Sequence, residues 1–223
     1  GSRGDYPYLD DNATAFDPSD DEERRRANAE ATAGHVLLHT TTRFENTQVD
    51  AMLLATSLQT GVPGAGATRA LDAQRSDVRI TGSLGVRHTV GPARFHFVAA
   101  SGARRHRFTD LHSEVGAGFQ STDDRTRFGF LRGTALVKLA PYLDSTALFS
   151  YRRDGYRPEN ALGPDELPSH RDTVAGALEL RLHGPIGPWR FELRPSTRIE
   201  HSRTRAREHV PGLPQRSFDG DFT

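Results

Sequence analysis

From Trp189 to Glu200 the chain alternates with a period of two. Trp189, Phe191, Leu193, Pro195, Thr197 and Ile199 stand between Arg190, Glu192, Arg194, Ser196, Arg198 and Glu200. Successive side chains of a strand point to opposite sides, so this pattern predicts a strand with one apolar face and one wet face. The same alternation recurs with Val78, Ile80, Gly82, Leu84 and Val86 between polar neighbours, and with Val174, Gly176, Leu178, Leu180 and Leu182. Further strands are expected over about 35–44, 49–59, 94–105, 125–139 and 146–156, which makes eight in all. Alternation is weakest in the first, where Val36, Leu37 and Leu38 are consecutive. No segment carries the spacing and caps of a long amphipathic helix.

The spacers alternate in length as regularly as the strands alternate in polarity. Short turns are expected at about 45–48, 90–93, 140–144 and 184–188, and long loops at about 60–76, 106–124, 157–172 and from 202 onward. Transmembrane barrels have this asymmetry, with short periplasmic turns and long extracellular loops. The predicted strands, at about 10–14 residues, exceed the roughly 5–6 usual in globular sheets and suit a tilted crossing of a bilayer. Phe44, Phe95, Tyr142, Trp189 and Phe191 lie beside the short turns, where an interfacial aromatic girdle would sit. The expected fold is therefore all-β, an antiparallel meander of long strands forming part of a transmembrane β-barrel. Residues 1–32 are expected to be an extracellular loop with, at most, a short helix from Asp20 capped by Ser19; 33–201 hold the eight strands; 202–223 are loop.

Composition fits that architecture better than a packed sandwich. Hydrophobic residues make up 35% and charged residues 26% of the chain, whereas a two-layer core of this length calls for a larger apolar share. A barrel with a wet lumen does not, because half of each strand faces water. No apolar run approaches the roughly 18 residues of a helical span. The absence of cysteine excludes disulfides and thiolate metal sites. A net charge of zero removes the global basic footprint of a nucleic-acid binder. The first residue is Gly1 rather than Met, and no signal-like apolar segment follows; for an outer-membrane chain this is expected of an excerpt or of a chain whose leader has been removed.

Several segments resemble the barrel of TonB-dependent outer-membrane receptors. They are Gly4-Asp5-Tyr6-Pro7-Tyr8-Leu9-Asp10-Asp11-Asn12 with Phe16-Asp17-Pro18-Ser19-Asp20-Asp21, the loop start Gly61-Val62-Pro63-Gly64, and Tyr151-Arg152-Arg153-Asp154 running into Arg157-Pro158-Glu159-Asn160. The resemblance implies a cell outer membrane location in a Gram-negative bacterium and a barrel of about 22 strands with a plugged lumen. It implies energised uptake of bulky nutrients such as ferric siderophores, cobalamin or oligosaccharides. The implied partners are outer-membrane lipids and lipopolysaccharide, an extracellular ligand of unknown identity, and the TonB energy-coupling complex acting through a plug that has no counterpart here. Two other readings are open: a self-contained small eight-stranded outer-membrane barrel with a structural or adhesion role, and a soluble β-sandwich binding module.

Candidate chemistry is sparse. The acidic run Asp10, Asp11, Asp17, Asp20, Asp21, Glu22 and Glu23 lacks calcium-loop spacing and is expected to be solvated. His35, His39, His88, His96, His106 and His112 lack ligand spacing and are expected at a lumen or rim. Arg79, Arg87, Arg132, Lys138, Glu179, Arg181, Arg190, Glu192, Arg194 and Arg198 are expected to pair across strands on the wet face. Arg104, Arg105, His106 and Arg107, with Arg198, Arg203, Arg205 and Arg207, form basic clusters near extracellular strand ends, as hydrated rim charge or as contacts to lipopolysaccharide phosphates. No nucleophile elbow, phosphate loop or zinc helix is present, so no enzyme activity, catalytic residue, cofactor or metal ligand is expected.

Overall fold

The structure is a computed structural model that describes residues 4, 6–10, 14, 16–64, 70–116, 118–160, 168–208 and 216–222. A small hairpin comes first, with β1 Pro7–Asp10 paired antiparallel to β2 Glu22–Arg25. A long antiparallel meander follows: β3 Ala31–Phe44, β4 Thr47–Gly61, β5 Gln74–Val90, β6 Ala93–Asp110, β7 Gln120–Ala140, β8 Leu143–Arg157, β9 Ser169–Ile186, β10 Trp189–Leu193, β11 Ser196–Glu208 and β12 Arg216–Phe222. Each strand pairs with its neighbours in chain order, and β10 and β11 both lie against β9 in one unbroken register. Pro195 separates them because it has no N–H to give the ladder, although its carbonyl still accepts from Leu180 N at 3.0 Å. The sheet thus has nine lines of chain rather than the eight expected.

Three other expectations change. The N-terminal stretch contains the β1–β2 hairpin, and the helical turn among its described residues, Pro18–Asp20, is a 3-10 turn capped by Asp17 rather than an α-helix capped by Ser19. The presumed terminal loop from 202 onward instead continues β11 to Glu208 and returns as β12, with pairs running from Ser202 opposite Phe222 to Glu208 opposite Arg216. The middle long loop is shorter than expected, because β6 runs on to Asp110 and β7 starts at Gln120.

Short turns close the hairpins at one end. Glu45, Gly91 and Gly187 each open a two-residue turn with positive φ, at 44°, 51° and 59°. In the two Gly-Pro turns, glycine enters the left-handed region freely while proline fixes the next φ near −65°, a combination that suits the tight reversal of a hairpin.

Register gives the tilt. Phe44, Thr47, His88, Phe95, Ala135, Ala147, Leu178 and Thr197 are directly paired in sequence and form one row across the sheet. Phe44 stands one residue before its short turn, Phe95 three after, Ala135 six before and Leu178 nine before. The hairpin tips therefore recede by eight residues over six strand steps. At about 3.3 Å per residue and about 4.8 Å between strands, the strands tilt by about 42° from the normal to the line of tips, within the 35–45° tilt from the axis of closed barrels. Among the described residues the sheet is open, since β3 and β12 are its edges and no ladder joins them.

The described residues form no shared core. The only buried hydrophobic residues among those described are Ala70, Ala73 and Ala175. Phe97 and Phe149, in the middle of the sheet, remain 55% and 54% exposed. No second layer of comparable size covers either face, so the two packed sheets that a sandwich requires are absent from the described residues.

Candidate functional site

Directly paired residues share a face, so the ladders assign every side chain to one of two sides. One side carries Val78, Ile80, Leu84 and Val86 of β5, Phe95, Phe97 and Ala99 of β6, Leu131 and Val137 of β7, Phe149 of β8, and Val174, Leu178, Leu180 and Leu182 of β9. Along β5 this apolar stretch covers nine residues. At about 3.3 Å each and about 42° of tilt, it spans about 22 Å across the sheet, close to the roughly 25 Å apolar band of a membrane barrel. Phe44, Phe95, Trp189 and Phe191 sit on this face at its short-turn end, and Trp189 is 76% exposed. A depression of about 580 Å³ between Leu84, Phe97, Leu131 and Phe149 marks the centre of the band.

Aromatic rings lie over glycines on the paired strands. A Cβ added to Gly133 would stand 3.1 Å from Phe97 Cε1, and one added to Gly184 would stand 3.5 Å from Phe191 Cε1. Each ring covers a gap that the glycine leaves in a curved sheet and pins the register.

Above the band the same face becomes charged. On β6, β7, β8, β9 and β11 the first Asp, Glu, Lys or Arg of this face, counted from the short turn, comes thirteen residues up at Arg105, fourteen at Arg127, eleven at Arg153, and fifteen at Asp172 and at Arg203, whereas β3, β4 and β5 carry none on it. These positions form a belt at nearly one level. Within it Arg105 Nε donates to Asp123 at 2.8 Å, Arg107 reaches the same carboxylate at 3.2 Å, and Arg125 lies 3.6 Å from it. Tyr151 donates to Asp172 at 2.7 Å.

The opposite side carries Arg79, Arg87, Arg132, Lys138, Glu179, Arg181, Arg190, Glu192, Arg194 and Arg198. Arg181 pairs with Glu192 at 3.1 Å, Arg87 with Asp50 at 3.8 Å, and Arg104 donates to Asp77 from Nε at 2.9 Å. This side is not uniformly wet: Leu37, Leu54, Val98, Phe128, Phe130 and Leu148 also lie on it. The basic cluster at Arg104–Arg107 is split by the pleat. Arg104 and His106 meet Asp77 on this side, whereas Arg105 and Arg107 meet Asp123 on the apolar one.

The histidines disperse. His35, His39, His96 and His106 lie on the mixed face, while His88 lies on the apolar face beside its short turn, its Nδ1 2.8 Å from the Thr47 hydroxyl. His112 joins two carboxylates, with Asp72 at 3.3 Å and Glu114 close by. These three groups could hold a divalent cation, but the structure accounts for them without one. Glu114 Oε2 accepts from the amides of Leu71, Asp72 and Ala73 at 2.9, 2.8 and 3.0 Å, which clasps the 111–119 loop to the 62–73 loop. Those amides hold the Glu114 carboxyl below the usual carboxylate range. Buried Asp110 shapes the clasp from behind, accepting from the amides of Glu114, Val115 and Gly116. In the acidic N-terminal run, Asp10 is paired with Arg24 at 2.7 Å and Asp17 accepts from Ser19 N at 3.1 Å, while Asp11 lies outside the described residues. Arg26 stacks on Tyr8 at 4.1 Å and donates to Gly64 O at 2.8 Å, which ties the β1–β2 hairpin to the 62–73 loop.

Sequence reasoning missed Arg125, Arg127 and Arg153 as members of a site. The signal was present in their parity, since counting upward from the short turns puts all three on the apolar face. Among the described residues no helix is long and apolar enough to cross a membrane. Comparison with protein-family models, curated proteins and solved structures found no match.

Proposed function

We propose that this chain is a segment of an outer-membrane β-barrel, and that the whole barrel is a receptor of the TonB-dependent type that captures a bulky nutrient with its long loops and passes it inward. The observation that carries the proposal is the pair of unlike faces on one tilted sheet: an exposed apolar band of membrane thickness on one side and an ion-paired side behind it. Water does not tolerate so large an exposed apolar surface, whereas lipid requires it. The open edges at β3 and β12 favour a segment of a wider barrel over a self-closed eight-stranded one, because lipid leaves no sheet edge unpaired. Apolar patches among the charges of the other face suit a lumen filled by a plug better than an open aqueous pore. The uptake role itself rests on the resemblance of the loop and strand motifs.

The test is the sidedness of the loops in cells that display the protein. A cysteine at Ser113, in a long loop, is expected to react with a membrane-impermeant maleimide on intact cells. One at Asn46, in a short turn, is expected to react only after the membrane is opened. The reverse pattern, or equal labelling of both, would refute the orientation.

A further inference from the structure

Above the apolar depression, and continuous with it through Ser101, Gly129 and Tyr151, lies a groove of about 600 Å³ between β7, β8 and β9. Arg125, Arg127, Arg153, Arg157 and His170 line it, Arg157 Nε lies 3.2 Å from Glu159, and no carboxylate among the described residues forms part of the lining. Arg127 is exposed and its side chain has no hydrogen bond or ion pair among the described residues. Arg153 lies 3.8 Å from its nearest carboxylate, Asp172. Arg125 Nε is buried and has no hydrogen-bond partner, although its terminal nitrogen reaches Glu159 at 3.2 Å. The floor is made of small residues, Ser101, Gly129 and Gly155, which leave room for a head group between the arginines.

We propose that this groove is a docking site for the phosphate-bearing head group of an outer-leaflet glycolipid, with its acyl chains lying on the apolar band below. The inference rests on the membrane reading given above and adds a site and a ligand class to it. Charge and height select the occupant. A cationic groove at the top of a lipid-facing apolar surface meets the level at which a leaflet holds its phosphates. Guanidinium groups grip phosphate oxygens in pairs, which a zwitterionic head group with a shielding choline matches less well. Free phosphate would satisfy the arginines but leave the adjoining apolar floor uncovered.

The experiment uses the full chain in detergent micelles, titrated with bis-phosphorylated lipid A, with its dephosphorylated counterpart and with phosphatidylcholine, and read by native mass spectrometry. Quenching of Trp189 fluorescence by brominated phospholipid runs in parallel, because it reports contact of the apolar face with lipid whatever the groove does. The expected result is retention of the phosphorylated lipid that millimolar inorganic phosphate does not displace, and affinity at least about tenfold weaker without the lipid phosphates or in the Arg127→Ser, Arg153→Ser double variant. Arg127→Lys, which keeps charge but loses the fork, should fall between, and Arg190→Ser on the other face should bind as the parent does. Trp189 quenching with equal binding of phosphorylated and dephosphorylated lipid would overturn the site and leave the membrane reading standing. Absence of quenching would overturn both.

Discussion

Gly102 and Phe128 face each other across the β6–β7 ladder, and the ring occupies the space that a side chain at 102 would need. A Cβ there would stand 2.5 Å from Phe128 Cε1 and 2.8 Å from the Ile80 carbonyl oxygen, and the second contact is backbone that cannot swing aside. Gly102→Val should therefore destabilise the sheet by about 1–3 kcal/mol, the usual scale of overpacking. Gly129→Val should cost less, because an added Cβ there meets nothing within 4 Å. Denaturant unfolding of the two variants side by side checks the prediction; equal midpoints would show that the Phe128 ring does not lie over Gly102.

Among the elements, two long loops are joined by carboxylates bound to amides. Glu114 is the clearest case. Its acidity is raised by the amides of Leu71, Asp72 and Ala73, so its clasp is complete above the ordinary glutamate value of about 4.3 and is lost as the pH falls through the lower folded value. Nuclear magnetic resonance should show the three amide protons moving upfield together at one midpoint below that of a free glutamate. Glu114→Gln should abolish that shared titration, whereas independent midpoints would dissolve the clasp.

How legible the elements were depended on what each strand touches. In β5, β9, β10 and the start of β11 one face is apolar and the charges fall on the other, so Val78 to Val86, Val174 to Leu182 and Trp189 to Ile199 could be read directly. At the end of β11, Arg203 and Arg205 lie above the level of the band, where alternation carries no signal. The pairing of Ser202–Glu208 with Arg216–Phe222 is carried by the backbone ladder and was invisible in the pattern. Leu37, on the mixed face opposite Leu54 of β4, explains why β3 alternates poorly. The arginines of the belt were individually visible, but their common height depends on cross-strand register and on the stagger of the turns, which no single segment encodes. The Glu114 clasp joins residues about forty positions apart, and only the fold brings them together.

Across the whole molecule, the account rests on one sheet with two environments. The stagger of the turns sets a tilt of about 42°, the tilt sets the height of the apolar band at about 22 Å, and the belt begins where that band ends. No pair of packed layers competes with this arrangement among the described residues. The most direct measurement is a spin-label scan of the full chain in lipid bilayers, with single cysteines placed one at a time from Val78 to Val86; the absence of native cysteine leaves each label alone. Accessibility to dissolved oxygen should peak at Val78, Ile80, Gly82, Leu84 and Val86, and accessibility to a water-soluble nickel complex should peak in opposite phase at Arg79, Thr81, Ser83 and Gly85. Oxygen and nickel accessibilities that rise and fall together, or that show no period of two, would contradict a sheet with two environments.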